Sequence, residues 1–322
     1  GEALTGWFTE DFTWDELSTL RSRERLPEVR LSSASFNGSQ AILRLTDVLD
    51  IVQEGSAEHG REIGVVLEVK HATYFASIGL DLAPLIERDL RASGWASGEL
   101  PLIVESFEST VLAQLKERGI AASYVYLIEA SGRPYDLFVA QGAKAQTYPQ
   151  AVTAHGLNSW AGVVDGISVD KRMLLARGNT IVADAHARGL TVFTWTCRPE
   201  NRFLAAEFRG PGGKGAYGDY EAEWGVIART GVDGVFVDHP DLGVGDPRNR
   251  GRRYDGRAES ARRDHVPGLH RSRVRPDTEP GGEAAFHDRR ASQDGAHDPH
   301  PIRCRAIRRE PALAESRGDS RP

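Results

Sequence analysis

Six short runs rich in Val, Ile, Leu, Phe and Tyr punctuate the chain. They are "EIGVVLEV" (62 to 69), "LPLIVESF" (100 to 107), "ASYVYLIE" (122 to 129), "GVVDGISV" (162 to 169), "LTVFTWTC" (190 to 197) and "VDGVFVD" (232 to 238). Their length and β-branched content predict strands. Segments of helical periodicity separate them, among them "LDLAPLIERDLRASG" (80 to 94), "ESTVLAQLKERG" (108 to 119), "KRMLLARGNTIVADAHARG" (171 to 189) and "EAEWGVIARTG" (221 to 231). Each closes on a glycine, Gly94, Gly119, Gly189 or Gly231, the residue that most readily takes the left-handed conformation after a helix. Strands alternating with helices predict βα units and a parallel sheet, either doubly wound or closed as a barrel. The barrel is favoured because polar residues collect at the C-terminal ends of different strands: Glu68, Lys70, Glu105, Glu129, Trp195 and Asp238.

A (β/α) barrel needs eight strands, and only these six are visible. The missing part is expected at the N-terminus, where "FTEDFTWDELSTLRSRERLPEVR" reads as a loop and a helix starting near Thr13, capped by Glu16, with no strand. After about Asp246 the apolar periodicity disappears, Arg becomes abundant and Lys is absent. Residues 1–246 are therefore expected to form the folded body and 247–322 a disordered Arg-rich tail, solvated or the product of a shifted reading frame; the less favoured reading is a basic arm for nucleic acid or anionic lipid.

Composition narrows the partners. The net charge of -6 argues against nucleic acid, whose phosphates call for a basic field. No apolar run approaches the roughly 20 residues that span a bilayer, so no stable membrane insertion is expected. Cys197 and Cys304 are too few and too far apart for a disulfide framework or a zinc cluster, and oligomeric state is not legible.

The run "VLEVKHATYF" carries the sharpest chemistry. Alternation along a strand places Gly64, Val66, Glu68 and Lys70 on one face and Ile63, Val65, Leu67 and Val69 on the other, which suits helix packing. By the same alternation His71 faces away from the pair. Two readings of Glu68 and Lys70 stay open on spacing alone. One is a strand-end salt bridge worth about 0 to 1 kcal/mol. The other is a carboxylate for a hard cation beside an ammonium for a phosphate.

Six segments, "GWFTEDFTWDELSTLRSRER" (6 to 25), "AILRLTDVLDIV" (41 to 52), "LEVKHATYF" (67 to 75), "IVESFE" (103 to 108), "FTWTCRPEN" (193 to 201) and "GVDGVFVDHPDL" (231 to 242), together resemble the glycerophosphodiester phosphodiesterase family, especially its bacterial periplasmic branch. The resemblance implies an α/β fold, a (β/α)8 TIM barrel of the phospholipase C-like phosphodiesterase type, here lacking its first strands. It implies metal-dependent hydrolysis of small-molecule glycerophosphodiesters to glycerol 3-phosphate and an alcohol, with Ca²⁺ or Mg²⁺ as the divalent cation. Glu68 then resembles a metal ligand and Lys70 the catalytic cation on the phosphate. Glu105, Ser106, Phe107 and Trp195 resemble substrate-binding residues, Trp195 as a floor against glycerol; a Trp that simply packs in the core is the alternative.

The family's first strand ending in His-Arg-Gly, its next strand bearing a Glu-x-Asp metal pair and the second histidine in the loop after it have no counterpart in this sequence. None of His59, His71, His155, His186 and His239 stands in those motifs. The chain is therefore expected to be an N-terminally truncated enzyme without activity. The alternative function is a catalytically silent barrel that binds a phospholipid head group or a protein partner. An unrelated phosphate-binding barrel is disfavoured because "GVDGVFVDHP" lacks a Gly-rich phosphate cradle. The branch resemblance also implies an extracytoplasmic location.

Overall fold

All six expected strands form in the computed structural model, which describes residues 6–243. They are β1 (Val65–Glu68), β2 (Leu102–Ser106), β3 (Ser123–Ile128), β4 (Gly166–Asp170), β5 (Thr191–Cys197) and β6 (Gly234–Val237). Every pairing is parallel and the sheet order is β1-β2-β3-β4-β5-β6. Where spatial order follows chain order, the right-handed crossover that parallel strands adopt as a rule puts successive connecting helices on the same face of the sheet. A doubly wound sheet reverses its order midway; this sheet does not, and it has the winding of a curled, partial barrel. Among the described residues β1 and β6 each pair on one side only. The expected tail at 247–322 lies outside the described residues.

The helix-facing side of the sheet is the main core. Val104, Tyr126, Ile167 and Val192 are fully buried there against Leu90, Leu112, Leu115, Ala185 and Ile227 from the surrounding helices. The opposite face is thinner. Its centre, Val125 and Leu127, is buried, but Val66 on the edge strand β1 remains 43% exposed, since among the described residues no further strand lies beside it. Phe193 fills part of this inner face by lying over Gly234, its neighbour in the ladder. A Cβ at Gly234 would sit 2.4 Å from the Phe193 ring, so only glycine admits that ring position.

The helices follow the sequence with one correction. The stretch 171 to 189 does not form one helix but two, Lys171–Leu175 and Ile181–His186. Gly178 between them takes φ +70°, and the Asn179 side chain donates to the carbonyls of Leu174 and Ala176, which ends the first helix. The four expected C-terminal glycines all adopt positive φ.

The N-terminal segment contains no strand of the sheet, and its capped helix is a single turn, Trp14–Leu17, with Thr13 N–H donating to Glu16 at 2.8 Å. It acts instead as a strap across the ends of the strands. On the β1 side the Tyr74 hydroxyl donates to Glu10 at 2.6 Å. On the β5 and β6 side Arg30 reaches Glu200 and Asp238, and Arg202 reaches Glu28. A Cβ at Gly215 would meet the Val29 carbonyl at 2.7 Å, so glycine lets these two backbones touch.

Candidate active site at the strand ends

Lys70 lies two residues beyond Glu68, the last residue of β1, and its Nζ lies 2.5 Å from Glu68 Oε1, with each side chain about a third exposed. Alternation thus holds for the pair: both point to the inner mouth. The next ladder position couples β1 to β2, where Glu68 stands beside Glu105. Glu105 is buried, and burial together with the neighbouring Glu68 charge pushes its carboxyl up to about 8, against the pull of Lys70. Its Oε2 has no hydrogen-bond partner among the described residues.

Ser106 follows Glu105 and so points to the other face of β2. It borders the cleft but is completely buried. Its hydroxyl donates to the Val69 carbonyl at 2.7 Å and accepts from the Glu108 N–H at 3.1 Å. Both contacts are to backbone. Ser106 therefore locks the end of β1 to the turn after β2, which fixes where Lys70 emerges.

His71 departs from the alternation. Its backbone is left-handed, φ 54°, as the cap of the helix Ala72–Ser77, so the strand rule no longer sets its direction. It lines the same cleft as Glu68 and Lys70 rather than facing away from them. Glu108 sits nearby, its carboxyl raised by burial and held back by the Thr73 N–H, which donates to it at 2.8 Å.

Aromatic side chains form the opposite wall. Phe107 meets Trp195 edge-to-face, 5.6 Å between ring centres at 87°, and meets Tyr148 at 6.2 Å and 78°. The Trp195 indole N–H donates to the Ser168 carbonyl at 3.2 Å, which orients the ring at the end of β5. Glu68, Lys70 and Phe107 thus share one cleft, with Glu105 beneath Glu68 and Trp195 joined to the cleft through Phe107. The segment after β3 adds residues that the strand pattern did not single out: Arg133 in the loop, Tyr135 at the start of the helix Tyr135–Gln141, and Tyr148 at the start of the later helix Tyr148–Ala151. The signal was available: this loop leaves the C-terminal end of a strand, where such sites are built.

Asp238, also at a strand end, is committed elsewhere. Its Oδ2 takes Arg30 and Arg198, each at 2.6 Å. Beside it Glu200 accepts from Arg30 at 2.7 Å and lies 3.1 Å from His239. The Phe203 ring lies beneath the guanidinium groups of Arg30 and Arg198. His239 belongs to this ionic knot and not to the cleft.

The expected divalent cation can be tested against these side chains. Among the described residues no group of three His, Cys, Asp or Glu is arranged to hold a metal ion. Glu68 and Glu105 offer two carboxylates, and the unpartnered Glu105 oxygen is open to a donor or an ion. Two such groups fall short of the six to eight oxygens a Ca²⁺ ion takes. The described residues do not by themselves fit the ion.

The model of the glycerophosphoryl diester phosphodiesterase family matches residues 3–242. A glycerophosphodiester phosphodiesterase of Arabidopsis thaliana is 25% identical over 256 residues, which cover 74% of this chain and 63% of that protein. The chain thus spans less than two thirds of the length of this relative. A solved structure from Silicibacter pomeroyi named for the same family is 21% identical, covering 76% of this chain and 71% of that one, with a TM-score of 0.48. An Oleispira antarctica phosphodiesterase in complex with the product sn-glycerol-3-phosphate is 16% identical, covering 67% and 68% of the two chains, with a TM-score of 0.42. The family match runs from the strap to the end of the sheet and takes in every residue of the cleft; the chain belongs to the glycerophosphoryl diester phosphodiesterase family.

Proposed function

We propose that the cleft holds the phosphate and glycerol of a glycerophosphodiester, the substrate of an enzyme that hydrolyses such esters to glycerol 3-phosphate and an alcohol. The observation that carries this reading is the Lys70 ammonium, held by Glu68 at the end of β1 and facing a cleft walled by Phe107. In hydrolysis a water oxygen bonds to phosphorus and the bond from phosphorus to the alcohol oxygen breaks. Negative charge grows on the phosphoryl oxygens, and an ammonium already fixed in place stabilises it. Lys70 takes that role, Glu68 orients it, and Glu105 keeps the inner wall polar beside them. Phe107, backed by Trp195, supplies an apolar aromatic surface suited to the carbon face of glycerol. Ser106 supports the loop.

A divalent cation, Ca²⁺ or Mg²⁺ in the family reading, would neutralise further phosphate charge when bound. The described residues do not complete its site, so no step here depends on it. The acid and base are likewise not assembled from the described residues, since His71 is the single histidine of the cleft and His239 is tied to Glu200. This chain alone is therefore expected to bind without turnover. Resemblance to the periplasmic branch supports an extracytoplasmic location, to be checked by fractionating cells that make the protein.

The test pairs binding with turnover. With Ca²⁺ or Mg²⁺ present, the chain should leave glycerophosphocholine and glycerophosphoethanolamine intact, yet bind glycerol 3-phosphate, and Lys70→Met should weaken that binding. Failure to bind glycerol 3-phosphate at millimolar concentration would sink the reading. A second reading, in which the carboxylates grouped among the described residues hold no metal, is a silent barrel that holds a phospholipid head group or a protein partner. It is distinguished by affinity for the intact head group that Lys70→Met leaves unchanged.

A further inference from the structure

We infer that Arg133 is a ligand-binding residue of this cleft that positions a phosphate ester from the β3 side while Lys70 approaches from the β1 side. The inference rests on the phosphodiester reading above and adds to it the second cation that grips the phosphate.

Six acidic or basic side chains border the cleft: Glu68, Lys70, His71, Glu108, Glu129 and Arg133. Glu68 is taken by Lys70, and Glu108 accepts the Thr73 N–H. The His71 charge bears on Glu108, and that of Glu129 on Arg172. Arg133 stands apart. Its Nε donates to the Ala145 carbonyl at 3.0 Å, which fixes the direction of the side chain. Among the described residues no carboxylate pairs with its terminal nitrogens.

The other arginines at the strand ends are treated differently. Arg30, Arg172 and Arg198 each meet a carboxylate at 2.6 Å. A guanidinium held by its Nε but given no acid, at the rim of a cleft, has its fork available for a ligand. Two parallel N–H groups match two oxygens of a phosphate, which an ammonium cannot do. The charge balance agrees. Lys70 is already half-answered by Glu68, so a phosphate needs a further cation to be held well.

The test uses the full chain with sn-glycerol 3-phosphate and inorganic phosphate as separate probes, titrated by calorimetry into wild type, Arg133→Gln, Arg133→Lys and Lys70→Met. Arg133→Gln should weaken both probes by the same factor, about tenfold or more, since the lost contact is to phosphate and not to glycerol. Arg133→Lys should recover only part of the loss. Arg133 is exposed, so the variants should unfold at the wild-type temperature, which separates lost binding from lost fold. Unchanged affinity in Arg133→Gln beside weakened affinity in Lys70→Met would overturn this inference and leave the phosphodiester reading standing. A loss confined to glycerol 3-phosphate would also overturn it. Wild type that binds neither probe would remove both.

Discussion

Arg30 and Asp238 stand 208 positions apart in the chain and 2.6 Å apart in space. The same guanidinium reaches Glu200 through its Nε, so one side chain of the strap joins the turn after β5 to the end of β6. Its charge is matched twice, and burial, which works against ionisation, is outweighed by the two carboxylates that raise its proton affinity. Arg30→Met keeps much of the stem and removes both bonds. Asp238 retains Arg198 and Glu200 retains His239, so the expected loss is about 2 kcal/mol and not the full penalty of a stranded buried charge. Urea denaturation measures the loss, and hydrogen exchange should show the amides of residues 26 to 40 opening earlier.

The acid limb of the stability curve should report this knot. Burial raises the Glu200 carboxyl, but hydrogen bonds from His239 and Arg30 prevail and hold it down at about 2. Asp238 is likewise lowered, with Arg198 and Arg30 overcoming burial. An unfolded carboxyl titrates near 4, so these groups stabilise the fold above that pH and lose their contribution as the pH falls toward about 2. In Arg30→Met the loss should begin at higher pH. Identical acid limbs in the two proteins would show that the pairs contribute nothing.

Glu105 predicts the opposite slope. Its native carboxyl is raised to about 8 by burial and by Glu68, whereas the unfolded one titrates near 4. Between those values the unfolded state binds fewer protons, so stability falls as the pH rises across the window. Glu105→Gln keeps the shape without the proton. It should be more stable than wild type at pH 8.5, by on the order of 3 kcal/mol, and equal to it near pH 4.5. Denaturant midpoints at the two pH values decide the matter.

The aromatic wall gives a spectroscopic prediction. Phe107→Ala removes the ring that meets both Trp195 and Tyr148, leaving the indole more open to water. Stability should drop by about 2 to 3 kcal/mol and tryptophan emission should shift to the red. Glycerol 3-phosphate should bind several-fold more weakly, whereas inorganic phosphate should be affected little.

What the sequence disclosed follows from where the physics is local. Strand runs such as 122 to 129 and the glycine caps at Gly94 and Gly119 are set by side-chain pattern and backbone sterics, and all were legible. The shared face of Glu68 and Lys70 followed from alternation alone. Alternation failed one residue later, at His71, because a left-handed turn ends the strand there. The knot of Arg30, Glu200 and Asp238 could not be read, since no local pattern links an arginine in a loop to acids 170 and 208 positions away. Arg133 was hidden for a related reason: a loop side chain has no period, and its place in the cleft is set by the strand it follows.

The order of the sheet also bears on how the protein is made. Every ladder joins strands that are neighbours in the chain, and ties between them such as Ser106 to Val69 span only 37 positions. Short closures lose little chain entropy, so the sheet can zip strand by strand as it leaves the ribosome. The strap leaves before the sheet, yet Asp238, which it grips, is made last of all the strand-end residues named here. Until synthesis reaches Glu200 and Arg202, the strap contact in reach is the one on the β1 side, between Glu10 and Tyr74. The strap, translated before every strand of the sheet, is thus fully secured only after them, and Trp7 is 74% exposed even in the finished fold.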